Sequence, residues 1–107
     1  MAGFLIERID CNNALFRRKL KKLDAAVLAE VCARLALLPR QNPIPLGLHA
    51  HPLKGQTVRS ALDPSVDVPV WTLHATADDR CKASFTVEKG VAYFRTLGAH
   101  DEVDKAP

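Results

Sequence analysis

Four histidines and one nearby aspartate are the residues whose types and spacing could do chemistry in this chain. They are His49, His51, His74 and His100, with Asp78 four positions after His74. Histidine titrates near neutral pH, so an imidazole can both take and give a proton there. Two imidazoles, one acting as a base and one as an acid, could cleave RNA. The base removes the ribose 2′-hydroxyl proton, the 2′-oxygen attacks the phosphate, and the acid protonates the leaving 5′-oxygen. Positive side chains would stabilise the charged transition state.

Metal binding is a second interpretation of the same histidines. His49 and His51 are two residues apart, so an extended backbone would point both side chains to one side. With His74 or His100 they could hold zinc, although the acidic residues and cysteines show no ligand spacing. The third interpretation is a set of unrelated surface or packed histidines. Spacing alone leaves all three interpretations open.

Length and composition indicate one folded domain over residues 1–107. The chain has 107 residues, 48% hydrophobic and 25% charged, which is typical of a folded globular protein rather than a disordered one. Its apolar stretches are far shorter than the roughly 20 residues of a membrane span, and the N-terminus lacks a secretory pattern. We therefore expect a cytoplasmic protein. Its three cysteines contain no CxxC pair, which favours free thiols over disulfides or a zinc site.

Positive charge is concentrated in the first half of the chain. The net charge is +3, but residues 1–60 carry 10 basic and 4 acidic side chains, and residues 61–107 carry 5 and 8. Five of the six residues from Arg17 to Lys22 are basic. Such a cluster can attract phosphates, or it can be an ordinary solvated helix face.

Two helices are predicted after a short opening strand around Phe4 to Ile9. Apolar residues recur at helical spacing from Phe16 to Leu23, with Asp10 or Asn12 as the expected cap. A second apolar stripe runs from Val27 to Leu38, with Asp24 as its cap and Pro39 as its stop. The short connection between the two helices predicts an antiparallel hairpin.

The remainder of the chain is predicted to be mostly strand. Residues 39–55 are rich in proline and glycine and favour an extended connector closed by a turn at Lys54-Gly55. A weak strand at 58–62 and better ones at 70–76, 81–87 and 91–97 follow, with a hairpin turn at Lys89-Gly90 and a polar tail after Gly98. The predicted fold class is α+β: an N-terminal strand and an antiparallel helical hairpin packed on a mainly antiparallel sheet of four to five strands.

Three motifs in one order carry a family resemblance. They are "HPLKG" (His51 to Gly55), "HATAD" (His74 to Asp78) and "LGAHDEV" (Leu97 to Val103). With these the chain resembles the RelE/ParE superfamily of bacterial toxins, and its YafQ-like branch most closely. The likeness covers nearly the whole chain in element order. It implies a RelE-like fold and the toxin of a type II toxin–antitoxin pair, acting as a ribosome-dependent mRNA endonuclease without metal or other cofactor.

The resemblance also implies roles for individual residues. His51 and His74 become proton-transfer candidates, Asp78 a general base or a group that orients a histidine, and His100 a phosphate contact or the acid. His49 is expected to be a loop neighbour. The implied partners are a cognate antitoxin, which could join it in a DNA-bound complex, and the ribosome with its mRNA. The residues expected to bind RNA or the ribosome are Arg17, Arg18, Lys19, Lys21, Lys22, Lys54, Arg80 and Lys82.

Two departures from the family pattern keep alternatives open. The family often has an aromatic residue four positions after its last histidine, where it can stack on a base; this chain has Asp104. A carboxylate cannot stack and would repel phosphate. Residues 56–70 also resemble an inserted loop. The alternatives are a protein of the same fold acting on another target such as DNA gyrase, and a catalytically degenerate relative that only binds an antitoxin.

Overall fold

The chain folds as an α+β structure with a five-stranded mixed sheet and three helices in its described part. The computed structural model describes residues 6–39, 44–78 and 80–107. The strand order is β1-β5-β4-β3-β2. In chain order the elements are β1 (Arg8–Asp10), α1 (Ala14–Lys21), α2 (Ala25–Leu35), β2 (His51–Arg59), β3 (Asp67–His74), β4 (Lys82–Glu88), β5 (Val91–Gly98) and α3 (His100–Lys105).

The predicted mainly antiparallel sheet is confirmed. Strands β2 to β5 form an antiparallel series, and β1 joins the far edge parallel to β5, with Arg8 opposite Val91. The turn between β4 and β5 is at Lys89 and Gly90, as predicted. Their φ angles of 51° and 80° are both positive, as a two-residue turn that matches the twist of its flanking strands requires.

The two N-terminal helices begin at side-chain caps. Asn13 accepts a hydrogen bond from the backbone N–H of Phe16, and Asp24 accepts one from Val27. The cap predicted at Asp24 is confirmed, whereas the first helix is capped by Asn13 instead of Asp10 or Asn12. The second helix ends at Leu35, before the predicted stop at Pro39. The antiparallel arrangement of α1 and α2 stays a prediction.

One face of the sheet is the apolar core. Phe85 and Phe94 lie on neighbouring strands with ring centroids 5.1 Å apart, and Phe16 of α1 packs on Phe94 at 5.3 Å. Helix α2 contributes Val31 and Leu35 to the same cluster. These five side chains are almost completely buried, so the hydrophobic effect holds both helices against this face.

The opposite face of the sheet is polar and is covered by the end of the chain. Thr72, Ser84 and Thr96 lie opposite one another across β3, β4 and β5, and all three are buried. Ser84 donates a hydrogen bond to the carbonyl oxygen of Pro107 at 2.9 Å, and Arg95 donates another at 3.1 Å. The segment that contains α3 therefore lies across the polar face.

Several sequence expectations differ from the structure. Lys54-Gly55 is not a turn between elements: both residues lie within β2, where the register shifts between Pro52 and Thr57. Of the weak strand predicted at 58–62, only Val58 and Arg59 are strand, as the end of β2, and residues 60–62 lie in the loop that follows. In the supposed insertion at 56–70, residues 56–59 belong to β2 and residues 67–70 to β3, and residues 60–66 form a loop. The tail after Gly98, for which the sequence indicates only a polar character, contains the helix α3. Phe4 and Leu5 of the predicted opening strand lie outside the described residues.

Candidate active site

The ends of three elements bring His74, Lys82 and His100 to one corner of the polar face. His74 is the last residue of β3 and lies opposite Lys82, the first residue of β4. Lys82 in turn lies opposite Gly98, where β5 ends two residues before α3 begins at His100. The ring centroids of His74 and His100 are 6.3 Å apart, with the rings at 65°. The structure therefore brings these two predicted site residues together.

His49, expected to be only a loop neighbour, contacts this corner directly. Its ring stacks on His74 with centroids 4.6 Å apart and an interplanar angle of 29°. His49 follows a short 3-10 turn (Leu46–Leu48) and has a left-handed backbone, with φ 51°. Arg34 of α2 holds this arrangement: its guanidinium donates to the carbonyl oxygens of His74 at 3.1 Å and Gly47 at 2.7 Å. Sequence reasoning assigned no role to Arg34.

His51 lies near the same corner but on the exposed edge strand. It is opposite Thr72, so it is a diagonal neighbour of His74 on the polar face, a relation that usually spans about 7–8 Å. Its Nδ1 lies 3.1 Å from the carbonyl oxygen of Pro52. A carbonyl oxygen only accepts, so Nδ1 is the donor of this bond. Beside it is a cavity of about 240 Å³, lined by Ile44, Pro45, Leu46, His49, Ala50 and His51.

Asp78 is held within the turn that follows β3. Its Oδ1 accepts hydrogen bonds from the Thr76 hydroxyl at 2.8 Å and from the backbone N–H of Arg80 at 3.2 Å, and its Oδ2 pairs with the Arg80 guanidinium. The hydrogen bond from Thr76 is the largest of the effects that lower the pKa of Asp78. Both carboxylate oxygens therefore have partners inside the turn. The role of Asp78 as a general base or as a group that orients a histidine stays a prediction.

Asp104, which departs from the family pattern, is the carboxylate placed between Lys82 and His100. Its Oδ1 lies 2.9 Å from the Lys82 ammonium, and its Oδ2 lies 3.4 Å from Nδ1 of His100. The Lys82 side chain is only 3% exposed. From the sequence alone, Asp104 is expected only to repel phosphate. The signal that could have revealed its position is the four-residue spacing from His100, which places both residues on one face of a helix.

The residues expected to bind RNA or the ribosome fall into two groups. Lys82, Arg80 and Lys19 are already paired with carboxylates, and Lys19 contacts Glu102 of α3 at 3.2 Å. The other group is exposed on α1, on the residue that caps its C-terminal end and on β2. Its members are Arg17, Arg18, Lys21, Lys22 and Lys54.

Within 6–39, 44–78 and 80–107, no group of three histidine, cysteine or acidic side chains is arranged to hold a metal ion. No helix in these ranges is long and apolar enough to cross a membrane. Burial is the main cause that raises the pKa of the Cys11 and Cys81 thiols, and Cys32 is exposed.

Comparison of the chain with protein-family models, with curated proteins and with solved structures finds no match.

Proposed function

We propose that the protein is an endoribonuclease of the RelE-like type and the toxin of a type II toxin–antitoxin pair. The observation that carries the proposal is the pair of imidazoles of His74 and His100, 6.3 Å apart beside a buried lysine. A catalytic hydrogen bond spans about 3 Å. Two rings at this separation can therefore reach two oxygens of one phosphodiester.

The cleavage uses the ribose itself as the nucleophile. One imidazole removes the 2′-hydroxyl proton, the 2′-oxygen attacks the adjacent phosphorus, and the second imidazole protonates the 5′-oxygen as its bond to phosphorus breaks. The products are a 2′,3′-cyclic phosphate and a 5′-hydroxyl end. These side chains complete the proton transfers by themselves, so the proposal needs no metal or other cofactor.

Substrate binding uses the exposed cations and the cavity near His51. Lys54 lies on the same edge strand as His51, and the Arg17–Lys22 cluster on and just after α1 offers further positive charge to ribosomal or messenger RNA. The cavity lined by His49 and His51 can accept a base beside the imidazoles. Action on translated mRNA in the cytoplasm, and inhibition by a cognate antitoxin, belong to the proposal through the resemblance.

One observation favours a second candidate, a relative that binds an antitoxin without cleaving RNA. Lys82 and Arg80, which could stabilise the transition state, already face Asp104 and Asp78. Paired cations offer less charge to a phosphate than isolated ones. The growth and cleavage experiments below separate this candidate from the nuclease.

Induced expression in bacteria tests the proposal. The nuclease arrests growth and cuts messages at codon boundaries, whereas a matched message with its start codon removed stays intact because it is not translated. The new ends carry 2′,3′-cyclic phosphates, which chemical end-mapping detects. New ends with a 3′-hydroxyl and a 5′-phosphate would contradict attack by the 2′-hydroxyl, and lost supercoiling with intact mRNA would indicate a gyrase target.

Two single substitutions connect the activity to the proposed residues. His74→Ala and His100→Ala are each expected to lower the cleavage rate by about 100-fold or more, since each removes a proton-transfer group. Asp101→Asn is the matched control, because Asp101 lies beside His100 but is 91% exposed. Circular dichroism and thermal melting must show that each variant is folded. Full activity in a folded His100→Ala variant would remove His100 from the mechanism.

A further inference from the structure

Asp104 connects a buried cation to the imidazole of His100 through its two oxygens. Oδ1 is 2.9 Å from the Lys82 ammonium, Oδ2 is 3.3 Å from the same ammonium, and Oδ2 is 3.4 Å from Nδ1 of His100. We propose that Asp104 is a positioning residue: it holds Nδ1 of His100 in the protonated state and thereby makes Nε2 the reacting nitrogen. The tautomer of His100 is inferred from the geometry alone. The statement that Nε2 reacts with the substrate rests on the proposed function.

Lys82 fixes the carboxylate of Asp104. A lysine that is 3% exposed needs a partner, because a buried, unpaired ammonium is expensive. Asp104 supplies that partner, and its backbone carbonyl oxygen accepts a hydrogen bond from the Gln56 side chain at 3.3 Å. Val103, the residue before it, is buried against the sheet. Asp104 is thus held in place by its side chain, by its backbone carbonyl and by the buried residue that precedes it.

The position of His100 follows from the helix. His100 and Asp104 are four residues apart on α3, so their side chains lie one above the other. An ionised carboxylate only accepts hydrogen bonds, so the imidazole nitrogen facing it carries the hydrogen. In the neutral ring the lone pair is then on Nε2. The 3.4 Å separation is long for a hydrogen bond, and such catalytic contacts commonly tighten when substrate binds.

Asp101 shows why a nearby carboxylate is not sufficient. One of its oxygens lies 3.6 Å from the same Nδ1, almost the distance of Asp104. Its side chain is 91% exposed, however, compared with 33% for Asp104. Water competes for an exposed carboxylate, and mobile side chains in water contribute little to a fixed geometry. Asp101 therefore serves as a matched control with equal charge on the same helix.

The tautomer of His100 determines which histidine acts as the base and which acts as the acid. Neutral His100 accepts the 2′-hydroxyl proton at Nε2, and the 2′-oxygen forms its bond to phosphorus. The 5′-oxygen leaves with the electron pair of the broken P–O bond and takes a proton from the protonated ring of His74. His100 ends as an imidazolium next to the carboxylate of Asp104, which stabilises the positive charge.

Nitrogen-15 NMR of the histidine rings tests the proposal without any activity assay. At about pH 8.5 the ring of an ordinary histidine is neutral, and the 15N shifts and ring-proton couplings distinguish the two tautomers. The His100 signals are assigned by their loss in His100→Gln. The wild-type protein is expected to show Nδ1–H at His100, and so is Asp101→Asn.

Asp104→Asn is expected to reverse the tautomer. Its single carbonyl oxygen turns towards the Lys82 ammonium, which leaves the amide NH₂ facing Nδ1. An NH₂ group donates, so Nδ1 becomes the acceptor and the hydrogen moves to Nε2. A wild-type protein with Nε2–H at His100 would overturn the proposal by itself, even if Asp104→Asn failed to fold. So would a folded Asp104→Asn variant with an unchanged tautomer.

RNA cleavage supplies the second readout and separates this proposal from the proposed function. Asp104→Asn is expected to lower kcat by about 100-fold, the scale of one general acid–base contribution, with little change in KM. The kcat of Asp101→Asn is expected to stay within about twofold of the wild-type value, because this variant removes no acid–base contribution. Equal kcat values for the folded Asp104→Asn and wild-type proteins would overturn the positioning role. A wild-type protein without RNA cleavage would refute the nuclease, while the tautomer measurements would still decide whether Asp104 sets the ring.

Discussion

Two histidine–aspartate pairs in this chain have the same spacing and opposite arrangements. Asp78 follows His74 by four residues, and Asp104 follows His100 by four. The first pair crosses from the end of β3 into a turn, where Asp78 bonds Thr76 and Arg80. The second pair lies on α3, where one helical turn brings Asp104 to 3.4 Å from the ring.

The difference teaches that a four-residue spacing has chemical meaning only together with the element that carries it. On a helix, residues four apart are neighbours. On a strand the side chains alternate between two faces, and a turn then redirects the backbone. The sequence motif around Asp78 therefore resembles a catalytic pair, whereas the carboxylate that faces a histidine ring four residues away is Asp104, a departure from the family pattern.

The largest expected difference between the pairs is in stability. Asp104→Ala removes the partner of a buried ammonium, which costs about 3 kcal/mol in the free energy of unfolding. Asp78→Ala removes a partner of a solvent-exposed guanidinium and of a short turn, so its cost is expected to be clearly smaller. Urea denaturation of both variants, followed by circular dichroism, measures the two values.

A double variant provides the control for this comparison. Lys82→Leu combined with Asp104→Leu removes both charges at once, and replacing a buried ion pair by apolar residues is often neutral or stabilising. The double variant should therefore regain most of the stability lost in Asp104→Ala. A double variant as unstable as Asp104→Ala would mean that the cost comes from altered packing of α3 rather than from an unpaired ammonium.

The second expected difference is the rate at which Cys81 reacts. Cys81 directly follows the turn of Asp78, and its backbone N–H donates to the hydroxyl of Thr76. Burial is the main cause that raises its pKa, so the thiol is a slow nucleophile in the closed turn. Asp78→Ala removes contacts that close the turn, so the free energy of opening the turn should be lower than in the wild type. A decrease of about 1.4 kcal/mol would make Cys81 react about tenfold faster with a thiol label.

Labelling is followed for each cysteine by mass spectrometry, and Cys32 acts as the internal reference because it is exposed. Asp104→Ala should leave the ratio of the Cys81 rate to the Cys32 rate unchanged. Equal acceleration by both aspartate variants would show that the rate reports global unfolding and not the turn.

The third difference depends on pH. The pKa of Asp78 is lowered from its ordinary value of 3.8 by the Thr76 and Arg80 contacts. A lowered pKa in the folded state means that the ionised carboxylate stabilises the fold above the ordinary value and loses this effect as pH falls through the folded value. Wild type should therefore be more stable than Asp78→Asn at pH 6. The difference should shrink as the pH falls below 3.8, as thermal melting at several pH values can show. A constant difference would exclude this linkage.

The smallest expected effect is that of Asp78→Asn on RNA cleavage. Both oxygens of Asp78 have partners inside the turn, so the variant should keep its rate within about threefold, far from the roughly 100-fold loss of an acid–base group. The measurement is the initial cleavage rate of a translated message. A loss as large as that of His100→Ala would support the role that the family resemblance implies for Asp78.

Local signals in the sequence predicted those parts of the fold that local chemistry determines. Asp24 caps α2 because a side-chain oxygen before an apolar helical stripe satisfies free N–H groups. Lys89 and Gly90 form the tight turn between β4 and β5 because a glycine adopts positive φ without strain. The core strands follow from runs of apolar residues around Phe85 and Phe94.

The rest of the site depends on contacts between distant parts of the chain. Helix α3 has six residues and one buried apolar side chain, Val103, so its sequence has too little periodicity to indicate a helix. Lys82 meets Asp104 only because β4 and β5 pair with Lys82 opposite Gly98. His49, which contacts His74, has a left-handed backbone, a conformation that histidine adopts infrequently.

The irregular backbone of β2 has a consequence for association between molecules. This strand is one edge of the sheet, and a regular edge would present a row of free N–H and C=O groups to a strand of another copy. Here Pro52 lacks an N–H group, Lys54 places a charge on the edge, and the register shift before Thr57 interrupts the row. At the opposite edge, β1 is only three residues long. The edge formed by β2 is thus a poor template for pairing with another copy.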